Sequence, residues 1–293
     1  GSDRICIAVH LYISSEGVLK NYRFTRSVIR SVARLTYDQV QNAKDGDPDL
    51  VTSKLLNKVI HPIYGAYNSL LKERKRRGPL EINLPERIIL INQSGQVSGI
   101  SLAKCFESHQ VIEEFMILAN IATSKALQSF KIPSVFRSHK SPEIKKLASL
   151  KTSLGKLGHK LDFKQKIRPE IFNKLIRETR DKKEQNLIKK IILHSQSQAE
   201  YSTKNFGHYG LSLKTYTHFT SPIRRYADLI VHRMIIDKFS MEDNYNNLIK
   251  PTKLAGICKQ LSETERRSQA AERDTISRYC SMFLSKNIGD DVY

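Results

Sequence analysis

The sequence predicts a helix-rich α+β fold in which antiparallel strands pack against many helices. Three observations carry this reading. Apolar residues alternate at period two on both sides of two short turns, at residues 14–17 and around Ser94-Gly95, the pattern of hairpins. Runs with helical spacing fill most of the remaining chain. At 293 residues with 40% hydrophobic composition, the chain is long enough to bury a sizeable core. No Pro/Ser-rich linker and no internal repeat interrupts it, so residues 1–293 read as one domain.

The elements follow in order. Ile5, Ile7, Val9, Leu11 and Ile13 make the first strand, and Val18, Lys20, Tyr22 and Phe24 the return strand. Thr36, with Gln39 three residues later, forms a capping box that opens a helix. The acidic stretch 45–49 has Leu56 where an EF-hand needs its terminal Glu, and it reads as a solvated turn. Residues 50–71 read as a helix bent at Pro62. The charge run 72–77 is then a solvated helix end, with contact to a polyanion's backbone as the alternative. Leu80, Ile82 and Leu84 alternate, and residues 88–102 form the second hairpin. Glu113-Glu114 opens a strong helix with Ile112, Phe115, Met116, Ala119 and Ala122 on one side, and acids in a first turn suit the helix dipole. Further helical runs start at Ser141-Pro142, at Pro169 and near Lys182.

Leu211, Leu213, Thr215, Thr217 and Phe219 alternate, which predicts a strand over 209–219. Thr220-Ser221-Pro222 reads as a helix start, a hydroxyl cap followed by Pro at the first helical position. That helix runs to about Phe239, and Asp228 and His232 are spaced to pair. After a polar break at 242–247, residues 253–284 read as one long helix. Ile257, Leu261, Thr264, Ser268, Ala271, Thr275, Tyr279 and Met282 make a narrow core stripe along it.

The charge balance, 49 Lys+Arg against 29 Asp+Glu and a net +20, favours a polyanionic partner, nucleic acid before membrane. A generally basic proteome is the plain alternative. Cys6, Cys105, Cys258 and Cys280 are widely spaced without zinc-site spacing and read as reduced core thiols of a cytoplasmic protein. No apolar run approaches the roughly 20 residues that span a bilayer, and the N-terminus does not resemble a signal peptide.

Arg224 and Arg225 are the anomaly. Cations in the first turn of a helix meet the free N–H groups and the positive end of the dipole. Such a pair is unfavourable unless an anion arrives, and two guanidinium forks at a helix start make a phosphate receptor. The alternative is that both pair with carboxylates such as Asp228.

The stretch Tyr216-Thr217-His218-Phe219-Thr220-Ser221-Pro222-Ile223-Arg224-Arg225-Tyr226 resembles the signature of the ribonuclease II and ribonuclease R family, the RNB catalytic domain, and lies closest to the ribonuclease R branch. The resemblance implies a magnesium-dependent 3′-to-5′ exoribonuclease that binds the 3′ end of single-stranded RNA and releases nucleoside 5′-monophosphates processively. It implies that Arg224 stabilises charge on the scissile phosphate, the catalytic role. Arg225, Tyr37, Glu114 and Glu272 would position the strand end, and His218 and Ser221 belong to the same RNA-contacting signature. Tyr37 ends a Leu-Thr-Tyr segment similar to the family's; a packed Tyr beside a helix start is the alternative. Glu114 is preferred to Glu113 as the carboxylate near the ribose. Glu272 sits in Ala271-Glu272-Arg273-Asp274, which also reads as a salt-bridged helix face.

The chain departs from the family in one respect. The closely spaced aspartates that hold the family's metal have no match here: Asp3, Asp38, Asp45 and Asp228 do not reproduce them. The resemblance places that cluster upstream of residue 1 and an OB-fold RNA-binding domain downstream of residue 293. The chain is therefore expected to bind RNA and hardly cleave it, as a monomer away from membranes. Two rivals stand beside this reading: a non-catalytic RNA-binding homologue, and a basic structural or assembly protein.

Overall fold

The computed structural model describes residues 1–131, 133–161, 167–239, 249–285 and 288–289. The chain opens with β1 (Asp3–Ile13) and β2 (Leu19–Arg30), an antiparallel ladder running from Asp3 opposite Arg30 to Ile13 opposite Leu19. Gly17 closes the turn, its N–H donating 2.9 Å to the Ser14 carbonyl. Gly17 has φ +72°, and a Cβ there would stand 2.1 Å from the Ser69 carbonyl oxygen. Only glycine permits both the conformation and that approach.

The capping box at Thr36 and Gln39 forms as expected and opens α1 (Tyr37–Lys44). A short α2 (Thr52–Leu55) passes through a π turn at Leu56–Ile60 into α3 (His61–Arg77). Pro62 has no N–H to bond the carbonyl four residues back, and the wider π turn falls where that bond is missing. The helical run is thus interrupted just before Pro62 by a π turn, and it continues past Leu71 to Arg77. α3 ends at Gly78 in the left-handed conformation, with Arg74, Lys75, Arg76 and Arg77 in the last turn, where cations suit the dipole.

β3 (Arg87–Ile91) and β4 (Val97–Leu102) form the second hairpin. Residues 80–84 make no ladder; Leu80 and Ile82 pack on helices instead. α4 (Glu107–Ser129) is the central helix. It begins six residues before the expected start, so Glu113 and Glu114 lie about two turns in, away from the strongest dipole field. β5 (Phe136–Ser138) pairs with β6 (Glu200–Ser202). Between them α5 (Ile144–Lys156), α6 (Pro169–Glu178) and α7 (Gln185–Ser195) bury Leu150, Leu154, Phe172, Ile188 and Ile192 together. α8 (Tyr226–Lys238) and α9 (Pro251–Leu284) complete the main core, where Ile230, Val231, Ile235 and Leu254 meet Leu127 of α4. The architecture is the helix-rich antiparallel α+β fold expected, with the strands among the described residues divided among three two-stranded ladders.

Four details differ from the sequence reading. Residues 209–219 are a loop, not a strand; only the isolated bridge between His208 and Leu213 is ladder-like. Thr215, Tyr216, Thr217 and Phe219 are all buried, so the alternation does not separate a wet face from a dry one. α8 starts at Tyr226, because residues 221–224 form a turn and Arg225 is extended at the N-cap. His232 Nε2 lies 2.8 Å from the Phe219 carbonyl oxygen, and Asp228 is engaged elsewhere, so the expected pair does not form. The α9 stripe is buried only near Leu254, Cys258 and Ser262, while Ser268, Ala271, Thr275 and Met282 are exposed. Of the cysteines Cys258 is buried and Cys105 exposed, and all four are free thiols. The polar break at 242–247 and residues 290–293 lie outside the described residues.

Candidate functional site

The site is the loop 215–225, which has no regular secondary structure and is fixed by side chains from other elements. Asn120 of α4 donates from Nδ2 to the Tyr216 hydroxyl at 2.9 Å and accepts the Phe219 N–H at 2.8 Å. Ser124, one turn further, is hydrogen-bonded to Thr215. Thr217 donates its hydroxyl to the Val135 carbonyl, and the Arg137 N–H donates 2.9 Å to the Tyr216 carbonyl. Every buried polar group needs a partner, and here those partners are remote in sequence.

The end of the loop is a tight turn. The N–H groups of Arg224 and Arg225 both point at the Ser221 carbonyl, at 3.3 and 3.1 Å. Asp228, fully buried in the first turn of α8, accepts the Ser221 N–H at 2.8 Å and Arg225 Nη2 at 2.9 Å. Its second oxygen lies 2.9 Å from Arg225 Nε. The Asp228 carboxylate thus offsets both the guanidinium and the positive end of α8.

This geometry separates the two arginines. Arg225 is held by Asp228, the alternative the sequence left open. Arg224 is exposed, and its side chain makes no ion pair or hydrogen bond with the described residues. Neither lies within the first helical turn as expected: Arg225 is the N-cap and Arg224 precedes it. Beside Arg224, Ile223 is 98% exposed, so the tip of the turn projects from the surface.

Behind the turn lies a neutral aromatic–histidine layer. Tyr201 and His218 Nδ1 share a hydrogen bond of 2.9 Å. Burial, reinforced by Arg225, Arg137 and other cations, pushes His218 down to about 2. Burial likewise pushes His208 down to about 3 and Tyr201 up to about 12. All three are uncharged at neutral pH. Arg137 lies over the Tyr201 ring at 4.8 Å and forks onto Glu265 of α9 at 2.5 and 3.1 Å. The layer is thereby tied to the long helix.

Of the residues singled out in the sequence, the structure brings together His218, Ser221, Arg224 and Arg225. Tyr37 stands elsewhere, 43% exposed and stacked on His109 with centroids 3.9 Å apart. Glu114 is buried and hydrogen-bonded to Arg74, with Arg77 at 3.9 Å. Glu113 is the exposed member of the pair, and it contributes with Asp228 and burial to raising the Tyr216 hydroxyl. Glu272 is exposed on α9. Sequence reasoning passed over Asn120 and Tyr201. Asn120 follows Glu113 by seven residues, two helical turns, and so shares its face; that spacing was the available signal. Among the described residues no three His, Cys, Asp or Glu side chains group to hold a metal ion. The described residues do not fit a resident magnesium. Nor is any helix among them long and apolar enough to cross a membrane.

The RNB domain family matches residues 1–239. Ribonuclease R of Aquifex aeolicus is 32% identical over 293 residues, covering 99% of this chain and 41% of its own length. The structure of ribonuclease R from Mycoplasma genitalium superimposes with a TM-score of 0.90 at 25% identity, over 99% of this chain and 46% of that one; the same enzyme has been solved with ribose-methylated single-stranded RNA. A yeast pseudonuclease shares the fold at a TM-score of 0.66 and 18% identity. The chain spans less than half the length of these relatives, and over that span it belongs to the RNB domain family, as a relative of ribonuclease R.

Proposed function

We propose that this chain is the RNA-gripping part of a 3′-to-5′ exoribonuclease that degrades single-stranded RNA to nucleoside 5′-monophosphates. The observation that carries the proposal is the splitting of the arginine pair. Asp228 immobilises Arg225 and the 221–225 turn, and Arg224 is left without a partner among the described residues, charged and exposed at its tip. A guanidinium fixed through its backbone and unpaired at its head suits the developing charge of a phosphoryl group, at little reorganisation cost. Tyr37, Glu114, His218, Ser221, Arg225 and Glu272 remain the proposed RNA-positioning set. In it His218 and Ser221 act by shaping the loop, and Tyr37 offers an exposed ring for stacking a base. Magnesium would be held by residues outside this chain, because those described here do not group around a metal.

The test is degradation of 3′-labelled RNA with magnesium by the full-length protein, compared with its Arg224→Ala variant. The expected result is a large fall in turnover with the fold intact; unchanged turnover removes Arg224 from the mechanism. A second reading, a non-catalytic RNA-binding homologue, is favoured by the same lack of a metal-binding group among the described residues. It predicts binding of single-stranded RNA by the full-length protein and no magnesium-dependent degradation.

A further inference from the structure

Arg77 closes α3 with its side chain only 9% exposed. Its Nε and one Nη are buried and have no hydrogen-bond acceptor among the described residues. The carboxylate nearest to it, Glu114, lies 3.9 Å away and is already hydrogen-bonded to Arg74. Arg76, its neighbour, is closed by a fork onto Glu73, both bonds 2.7 Å. Glu113 lies against Arg74, at 3.9 Å. Arg77 is therefore a buried guanidinium with unused donors, an arrangement that costs free energy unless an acceptor arrives. Burial and the adjacent Arg74 also lower its pKa, opposed by Glu114. An arginine nonetheless stays charged at neutral pH.

The side chain lines a cavity of about 400 Å³. The cavity lies between the β1–β2 turn, the end of α3, one face of α4 and residues 212–215. Lys125 and Lys214 stand at its rim, exposed and without an ion pair among the described residues. It uses the α4 face that carries Glu114, Ile117, Ile121 and Lys125. Asn120 and Ser124 point instead to the loop that presents Arg224. The cavity adjoins that loop at Thr215, which lines it, and Ile117 and Ile121 pack on Tyr216, but Arg224 is not among the residues that line it.

We propose that this cavity is a second anion subsite, which takes a phosphate group on the Arg77 fork with Lys125 and Lys214 at its mouth. A planar guanidinium matches two phosphate oxygens, and the ammonium groups act as point charges around them. The phosphate comes either from a backbone phosphodiester of bound RNA or from a free phosphate or nucleoside monophosphate. The subsite does not depend on the nuclease reading.

The experiment follows the Arg77 Nε–H resonance in ¹⁵N-labelled chain, assigned by its loss in Arg77→Lys or, if that variant does not fold, by backbone-linked assignment of the parent. Inorganic phosphate is titrated against chloride at constant ionic strength. The expected result is a saturable shift of this resonance. The double variant Lys125→Ala/Lys214→Ala alters only exposed side chains, and it should weaken phosphate affinity about five-fold through loss of the two rim charges. No shift with phosphate, or equal affinity in the double variant, overturns the proposal. Parallel titrations with a single-stranded RNA oligonucleotide and with adenosine 5′-monophosphate distinguish the two phosphate sources, either of which supports it. Arg224→Ala should leave the phosphate shift unchanged. Loss of RNA binding or turnover in that variant bears on the nuclease reading alone.

Discussion

Asp228 is the residue on which the site depends most, and Asp228→Ala is the sharpest perturbation of it. The substitution removes the acceptor for the Ser221 N–H at 2.8 Å and for Arg225 Nη2 at 2.9 Å, and the ionic contact to Nε at 2.9 Å. The carboxylate is fully buried and the Arg225 side chain is 19% exposed, so water replaces little of what is lost. Hydrogen bonds to a charged group are worth about 1.5–3 kcal/mol each. Breaking a buried pair by removing one partner costs about 3–5 kcal/mol, because the other charge is left uncompensated. The expected loss is therefore about 3–5 kcal/mol in urea unfolding at pH 7.5, at an unchanged denaturant slope. Asp228→Asn keeps an acceptor for the Ser221 N–H and loses the ion pair, so it should fall between parent and Asp228→Ala. Both variants should weaken single-stranded RNA binding in a fluorescence anisotropy titration, since the turn that presents Arg224 loosens. An Asp228→Ala variant within about 1 kcal/mol of the parent would refute the reasoning, since that is the range of exposed ion pairs.

Other outcomes follow from the same geometry. His218 and His208 are held neutral when folded, down to about 2 and about 3, whereas an unfolded histidine takes up a proton near 6.5. The unfolded chain thus binds more protons below that point. Stability should be flat above about pH 6.5 and fall with acidification by up to ~1.4 kcal/mol per pH unit for each histidine. Urea midpoints at pH 7.5 and 5.5 measure this, and His218→Gln should flatten the slope. Arg224→Ala should weaken RNA binding and reduce the log–log salt slope by about 0.7, one fewer single-strand phosphate contact. An unchanged slope would mean that Arg224 meets no phosphate in the bound state. Ile223→Ala, at a side chain 98% exposed, should leave the urea midpoint within about 0.5 kcal/mol of the parent. Gly17→Ala must displace the Ser69 carbonyl and strain a φ of +72°, and it should cost about 1–3 kcal/mol by thermal unfolding. An unaffected variant would show that the β1–β2 turn can lift from α3.

Much of the fold was legible because its signals are local. The capping box at Thr36 and Gln39, the glycine turn at Gly17 and the helix irregularity before Pro62 each depend on a few neighbouring residues. The start of α4 was not legible, since Phe106 at its N-cap is not a capping residue type, and the glutamate pair was placed about two turns too near the helix start. The segment 209–219 was misread as a strand because its alternation is real but from Thr215 to Phe219 both of its sides are largely buried. The α9 stripe misled for the opposite reason: periodicity describes a face and does not say what covers it, and past Ser262 little does. For the site, the sequence supplied the arginine pair and its alternative partner. It could not say which arginine Asp228 would take, a matter settled by the extended backbone at Arg225.

The hydrogen bonds that hold the loop join residues far apart along the chain: 96 positions from Asn120 to Tyr216, 99 from Asn120 to Phe219 and 82 from Val135 to Thr217. A β-hairpin nucleates from its own turn, whereas this segment acquires its shape only after α4 and β5 have docked, because loop-closure entropy delays contacts of long separation. In a refolding experiment, helical signal should therefore return before the chain regains its affinity for a polyanion. The last structure to assemble is the one that displays Arg224.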